Sequence, residues 1–83
     1  MAAFDPSKYK IIKEWETGQD VNDLVITVFK YGNGQPKVKF SKYYQDRNTN
    51  ELKSAVCKNL QWDDLMFIEQ NWDEIKETLE NVK

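Results

Sequence analysis

The feature that most constrains the fold is a pair of segments, residues 24–31 (LVITVFKY) and 37–44 (KVKFSKYY), joined by the short sequence GNGQP. Both segments are rich in β-branched and aromatic residues, which favours strands, and the glycine-containing connection favours a hairpin. Side chains alternate between the two faces of a strand. One face of this hairpin is apolar, with Ile26, Val28, Val38 and Phe40. The other combines rings with ammonium groups, with Phe29, Tyr31, Lys37 and Lys39.

The face that carries rings and lysines predicts a groove for single-stranded DNA. An antiparallel sheet can leave one face in water. Rings on such a face stack on bases, and ammonium groups contact phosphates. Two simpler interpretations stay open. Strands favour aromatic residues for packing alone, which applies to Phe29, Tyr31, Tyr43 and Tyr44. Exposed lysines such as Lys39 also protect sheets from aggregation.

Two further strands complete the predicted sheet. Tyr9–Trp15 forms the first, although the adjacent Ile11 and Ile12 blur its alternation, and Glu51–Lys58 forms a shorter and weaker fourth. The polar, turn-rich segment 17–23 is expected to be a loop. Residues 1–8 show no periodicity and are expected to be a loose tail, so that residues 9–83 form a single domain with its sheet at about 9–58.

The last part of the chain changes to helical periodicity. We predict one uninterrupted helix over about 59–81, with Asn59 as its N-cap and a length of roughly 35 Å. A stripe at intervals of three and four marks its apolar side: Leu65, Ile68, Trp72, Ile75, Leu79 and Val82. The stripe packs on the sheet, on a second copy of the chain, or on both. We favour both, with a dimer interface at Leu65, Ile68, Trp72, Ile75 and Leu79.

Composition bounds the chemistry of the protein. The 83 residues suffice for one small domain, and they include one cysteine and no histidine. A zinc site and an internal disulfide are therefore not expected, and Cys57 is expected to be a small buried apolar residue. No nucleophile constellation or glycine-rich phosphate loop is present, so we expect neither enzyme activity nor a cofactor. Without a signal-like or membrane-spanning apolar run, the expected location is the cytoplasm.

Charge is distributed unevenly along the chain. Residues 30–58 contain seven basic and two acidic residues, whereas residues 59–83 contain two basic and seven acidic ones. Because local fields rather than the total steer a polyanion, the net charge of −2 does not argue against a nucleic-acid partner.

The chain resembles the DNA-binding domain of the positive cofactor four family of transcriptional coactivators. The resemblance rests on residues 38–46 (VKFSKYYQD), the turn after them, the following strand and the apolar helical stripe, and it covers about residues 9–82. In that family an alternating strand ends in an aromatic pair followed by an aspartate, which correspond here to Tyr43, Tyr44 and Asp46. The absence of a serine- and lysine-rich tail makes the chain similar to the compact bacterial and bacteriophage members.

The resemblance implies a curved four-stranded antiparallel sheet, a long helix that mediates dimerisation and a concave channel for single-stranded DNA. It implies base stacking by Tyr31 and Tyr44, a phosphate contact by Lys53, and another near Lys37 in the hairpin. The family's arginines on the second and third strands are replaced here by Phe29 and Ser41, and its basic-glycine run by residues 54–56. The phosphate contacts would then be redistributed to Lys39, Lys42 and Arg47.

These patterns predict an α+β homodimer that binds single-stranded DNA, including melted duplex, without sequence preference, in replication, recombination, repair or transcription. The expected binding residues are Phe29, Tyr31, Lys37, Lys39, Tyr44, Arg47 and Lys53. Arg47 and Lys53 lie near turns, where solvated side chains are the simpler interpretation. The alternative function is a dimeric interaction module that recruits polymerase, replication or transcription proteins through its acidic helix. No membrane partner is expected.

Overall fold

Four strands are followed by two helices in the structure, a computed structural model that describes residues 6–82. One turn of 3₁₀ helix, Pro6–Lys8, precedes the sheet, and the first five residues of the predicted tail lie outside the described residues. The elements are β1 (Tyr9–Glu16), β2 (Leu24–Tyr31), β3 (Lys37–Gln45), β4 (Leu52–Val56), α1 (Trp62–Gln70) and α2 (Trp72–Asn81). The strands form one antiparallel sheet in the order β1-β2-β3-β4, which confirms the predicted α+β class.

The register of the sheet separates its two faces as the alternation predicts. Ile26 lies opposite Phe40, and Val28 lies opposite Val38. Side chains of directly opposed residues point to the same side of a sheet. This apolar side is the one that the helices cover. The core comprises Trp15, Leu24, Ile26, Val28 and Ile75, with Val38, Phe40, Phe67, Ile68 and Leu79 packed against it.

The prediction of one long helix is wrong, because the helical segment is divided at Asn71. The backbone at Asn71 (φ −108°, ψ 7°) leaves the helical region, and its N–H contacts the carbonyl oxygens of both Phe67 and Ile68 at 3.2 Å. The Asn71 side chain also donates to the Phe67 carbonyl oxygen, at 2.9 Å. Asparagine disfavours helix interiors because its side chain competes for backbone hydrogen bonds. The apolar periodicity continues across this break, so the pattern alone did not reveal it.

The predicted dimer stripe is shared between the protein's own core and its surface. Ile75 is buried at 2% exposure, and Ile68 and Leu79 pack against the core. Leu65 and Trp72 remain 48% and 49% exposed. Three of the five expected interface residues are therefore used within one chain, and a second copy of the chain is not required to bury them.

The first helix begins later than predicted, at Trp62, with Gln61 rather than Asn59 as its N-cap. The Gln61 N–H donates to the Asp64 carboxylate at 2.8 Å, which satisfies a donor that a helix start otherwise leaves unpaired. Lys42 of β3 reaches the same carboxylate at 2.7 Å. The side chains of Lys42 and Asp64 are only 19% and 8% exposed, so this ion pair joins the sheet to the start of α1 inside the structure.

The hydrogen bond between Lys42 and Asp64 shifts the pKa values of both side chains, and burial also affects them. The bond to Asp64 is the main cause that raises the pKa of Lys42 above its usual value. Burial raises the pKa of Asp64, but the bonds from Lys42 and the Gln61 N–H outweigh it and leave that pKa below its usual value. Because the folded-state pKa of Asp64 is depressed, its contribution to stability is present above the unfolded-state pKa and is lost as the pH falls through the folded one.

We predict that Lys42→Met lowers the free energy of unfolding by about 2–4 kcal/mol, because it leaves the Asp64 charge buried without its partner. Lys42→Met/Asp64→Asn should recover much of this loss, since asparagine keeps an acceptor for Gln61 and removes the charge. Urea unfolding at neutral pH measures both variants, and Lys58→Met, at an exposed lysine, is the matched control. Equal losses for Lys42→Met and Lys58→Met would contradict the role of the pair.

Candidate nucleic-acid interface

The face of the sheet opposite the helices, here called the open face, carries the predicted ring and lysine residues of the hairpin. Phe29 lies opposite Lys37, and Thr27 lies opposite Lys39, so all of these side chains share this face with Tyr31. The part of the open face near the β2–β3 turn is called the hairpin end. The structure therefore brings together four of the seven predicted binding residues: Phe29, Tyr31, Lys37 and Lys39.

A cluster of two rings and one ammonium group forms the centre of the hairpin end. The rings of Tyr9 and Phe29 are 5.3 Å apart between centroids and tilted by 36°. The Lys39 Nζ lies 5.1 Å from the Tyr9 centroid and 5.5 Å from the Phe29 centroid. An ammonium group at this distance is attracted by the ring quadrupole. Within residues 6–82, neither Lys37 nor Lys39 takes part in an ion pair, so both charges remain uncompensated by carboxylates.

A β-bulge places Tyr9 in this cluster. Trp15 and Lys13 pair with the buried Ile26 and Val28, which puts them on the helix side. The register then shifts, so that Ile11 pairs with Phe29 and the intervening residue has no partner. One extra residue in a strand moves the side chains of the preceding residues to the opposite face of the sheet. Tyr9 consequently lies opposite Tyr31 on the open face.

A cavity of about 350 Å³ adjoins the ring cluster at the hairpin turn, lined by Phe29, Tyr31, Gly34, Gln35 and Lys37. The turn that forms it is held by backbone hydrogen bonds. The Gly34 N–H donates to the Tyr31 carbonyl oxygen at 3.0 Å, and the Gly32 N–H donates to the Lys8 carbonyl oxygen at 2.9 Å. Gly32 adopts φ +56°, a conformation that glycine tolerates better than other residues. The arrangement supplies two aromatic walls, an amide and an ammonium group.

The opposite end of the open face is acidic. The Glu14 carboxylate accepts a hydrogen bond from the Thr27 hydroxyl at 3.0 Å, and the Glu16 carboxylate accepts one from the Tyr43 hydroxyl at 2.7 Å. The bond from Tyr43 is the main cause that lowers the pKa of Glu16. The same bond, followed by burial, raises the pKa of Tyr43 to about 12. The open face therefore changes from basic and aromatic at the hairpin end to anionic near the β1–β2 loop.

Three predicted binding residues do not join the cluster. Tyr44 and Lys53 pair with each other across β3 and β4, and their register places them on the helix side of the sheet. Lys53 also forms an ion pair with Asp46 at 2.9 Å, which is the main cause that lowers the pKa of that carboxyl. Arg47 is exposed in the β3–β4 turn, at the end of the sheet away from the hairpin turn. A single channel that includes Tyr31, Tyr44 and Lys53 on one face is therefore not formed within one chain.

Sequence reasoning missed two residues at the hairpin end, Tyr9 and Gln35. The only sequence signal for Tyr9 was the adjacent pair Ile11 and Ile12, where the alternation of β1 fails. Gln35 lies in the GNGQP connection, from which the sequence predicts only a hairpin turn. Its signal was its position before Pro36, which biases the preceding backbone towards an extended conformation.

Neither a metal site nor a spanning helix is found among the described residues. No group of three potential ligands among residues 6–82 could hold a metal ion. No helix in that range is long and apolar enough to cross a membrane. No protein-family model, curated protein or solved structure matches the chain.

We predict that Tyr43 ionises well after an ordinary tyrosine, at a pH of about 12. Near-ultraviolet absorbance during alkaline titration should contain a late phase that disappears in Tyr43→Phe and persists in Tyr44→Phe. Because the pKa of Tyr43 is raised in the folded state, the contribution of this group to folding stability is complete below the unfolded-state pKa of about 10. It is lost as the pH rises through the folded-state pKa. A late phase that survives in Tyr43→Phe would show that the bond to Glu16 does not hold the proton.

Proposed function

We propose that the hairpin end of the open face binds single-stranded DNA. The observation that carries this proposal is the contact of Lys39 with the rings of Tyr9 and Phe29, beside the uncompensated Lys37. Stacking surfaces next to positive charges are the combination that non-specific single-strand binders use. The resemblance to the positive cofactor four family supports the same ligand class.

The arrangement favours a single strand over a duplex. In a duplex the flat faces of the bases are stacked on each other, so exposed rings of the protein gain no partner. In a single strand the unstacked bases are available to aromatic side chains, while the phosphates remain free to meet ammonium groups. Lys39 sits above two rings, so a phosphate that binds it brings the adjacent base close to Tyr9 and Phe29.

The acidic end of the open face restricts the path of the strand. Glu14 lies in the same cross-strand row as Lys39, and Glu16 lies beyond it, so both would repel phosphates that continued along the strands past Lys39. A strand that crosses β1, β2 and β3 at the hairpin end avoids this repulsion. The proposed site is thus short, with about two phosphate contacts per chain through Lys37 and Lys39, and a single-stranded salt slope of about −1.4.

We predict that Tyr31→Ala weakens binding of labelled oligo-dT roughly 5- to 100-fold, because stacking contributes about 1–3 kcal/mol per base. Tyr44→Ala is the matched control, since Tyr44 lies on the other side of the sheet, and it should change affinity less than about twofold. Fluorescence anisotropy titrations measure both. Equal losses in the two variants, or none in either, would contradict the open-face site.

The lysines provide a second, independent readout in the same titrations. Lys39→Ala should reduce the steepness of the salt dependence by about 0.7, the value for one phosphate contact on a single strand. Lys53→Ala should leave the slope unchanged, because Lys53 is paired with Asp46 on the helix side.

We also propose that the protein forms a homodimer through its helices. This proposal is supported by apolar side chains that α1 and α2 leave in water. Trp62 is 73% exposed, and the predicted interface residues Leu65 and Trp72 are about half exposed. Trp62 and Leu65 are three residues apart on α1, which places them on one side of that helix, and Trp72 is the first residue of α2. Large exposed apolar patches mark interaction surfaces.

For the dimer, we predict that Trp72→Glu shifts the mass in sedimentation equilibrium from dimer to monomer at micromolar concentration, because a carboxylate would be buried in the apolar contact. The circular dichroism spectrum should stay that of a folded protein, since Trp72 is not part of the core. Tyr44→Glu, also at an exposed aromatic residue, is the control and should remain dimeric. A wild-type protein that sediments as a folded monomer would refute the dimer.

A further inference from the structure

We infer that the cavity at the hairpin turn is a nucleobase pocket in which Gln35 favours adenine, an inference that rests on the proposed function. The cavity of about 350 Å³ lies at the small end of the range of about 300–1,000 Å³ that small-molecule sites occupy. That size suits one base while the rest of the strand stays outside. The proposed strand would otherwise be bound without any dependence on its sequence.

The chemistry of the lining matches a base better than an apolar side chain. Phe29 and Tyr31 supply ring surfaces, and Lys37 supplies a positive charge beside them. An apolar peptide side chain would use the rings and leave the ammonium group without a counter-charge. A nucleotide uses both, because its base meets the rings and its phosphate meets Lys37. Lys39, on the same face, extends this positive edge towards the next phosphate.

Gln35 is the only residue of the lining with a side-chain amide, and this group can distinguish one base from another. Its side chain makes no hydrogen bond to any residue in the range 6–82, so its donor and acceptor are both available to a ligand. An amide pairs with adenine in a bidentate manner, donating to N7 and accepting from N6. On that edge guanine presents two acceptors, and cytosine and thymine present one polar group each, so a glutamine that reads this edge selects adenine.

The backbone around Gln35 is restricted on both sides of the residue. Pro36 follows it and biases its backbone towards extended conformations. Gly34 precedes it in a tight turn, where a Cβ would lie only 3.1 Å from the Tyr31 carbonyl oxygen. Restriction before binding reduces the entropy that recognition costs. With the backbone restricted, binding of a base has to order mainly the exposed side chain of Gln35.

The test compares labelled oligo-dT with the same strand carrying interspersed dA or dC, all of equal length, in anisotropy titrations. Wild type should bind the dA-containing strand roughly 5- to 100-fold more tightly than oligo-dT. Gln35→Ala should bring the dA-containing strand to the level of oligo-dT and change oligo-dT itself less than about twofold. Gln70→Ala, an exposed glutamine on α1, is the matched control and should keep the wild-type preference.

The outcomes separate this inference from the function on which it rests. Equal affinity of wild type for the three strands overturns the adenine pocket, and so does a preference that survives in Gln35→Ala. A loss that is the same for all three strands in Gln35→Ala also overturns base reading. In each of these cases salt-sensitive binding that depends on Lys39 leaves the open-face site standing. Absence of binding to every strand overturns the proposed function and the pocket with it.

Discussion

The packing of Ile75 against the apolar face of β2 decides which side of the sheet a ligand can reach. Ile75 belongs to the same core cluster as Leu24, Ile26 and Val28, and this contact fixes α2 on one side. Since successive strand residues point to opposite faces, covering the even-numbered positions of β2 leaves Phe29 and Tyr31 on the other side. The ion pair between Lys42 and Asp64 adds a second, polar connection between the sheet and the helices.

The sequence predicts which side chains of one strand share a face. It does not always predict how the faces of different strands align in the sheet. The strand 24–31 has the predicted bounds, and its two faces follow from β-branched and aromatic residues at alternate positions. The family resemblance implies that Tyr44 and Tyr31 stack on the same strand of DNA, although the antiparallel register places Tyr44 on the opposite face of the sheet. Register is a property of paired strands, and a single residue reverses the face. The family resemblance itself stays a hypothesis.

The sequence pattern also does not reveal local irregularities of the backbone, which explains why Tyr9 at the hairpin end and the break in the helix were not predicted. The bulge in β1 inverts the parity of Tyr9, and the adjacent isoleucines signalled irregularity without giving its location or direction. In the helical segment, the spacing of Leu65, Ile68 and Trp72 indicates an apolar side, but it does not indicate that the backbone leaves the helical conformation at Asn71. The spacing of apolar residues indicates which side chains are buried. Bulges and helix breaks depend on backbone hydrogen bonds, which that spacing does not reveal.

The division of the open face into a basic and an acidic end gives a physical reason why the proposed binding site is short. The hairpin end concentrates rings and uncompensated lysines, and the other end places Glu14 and Glu16 beside the strand path. A long track for a polyanion would need positive charge at both ends. A site confined to the turn instead engages few phosphates, which limits non-specific affinity and gives contacts with individual bases a larger share of the binding energy. The asymmetry of charge on the open face therefore links the two proposals, because a site with few phosphate contacts depends more on contacts with the bases.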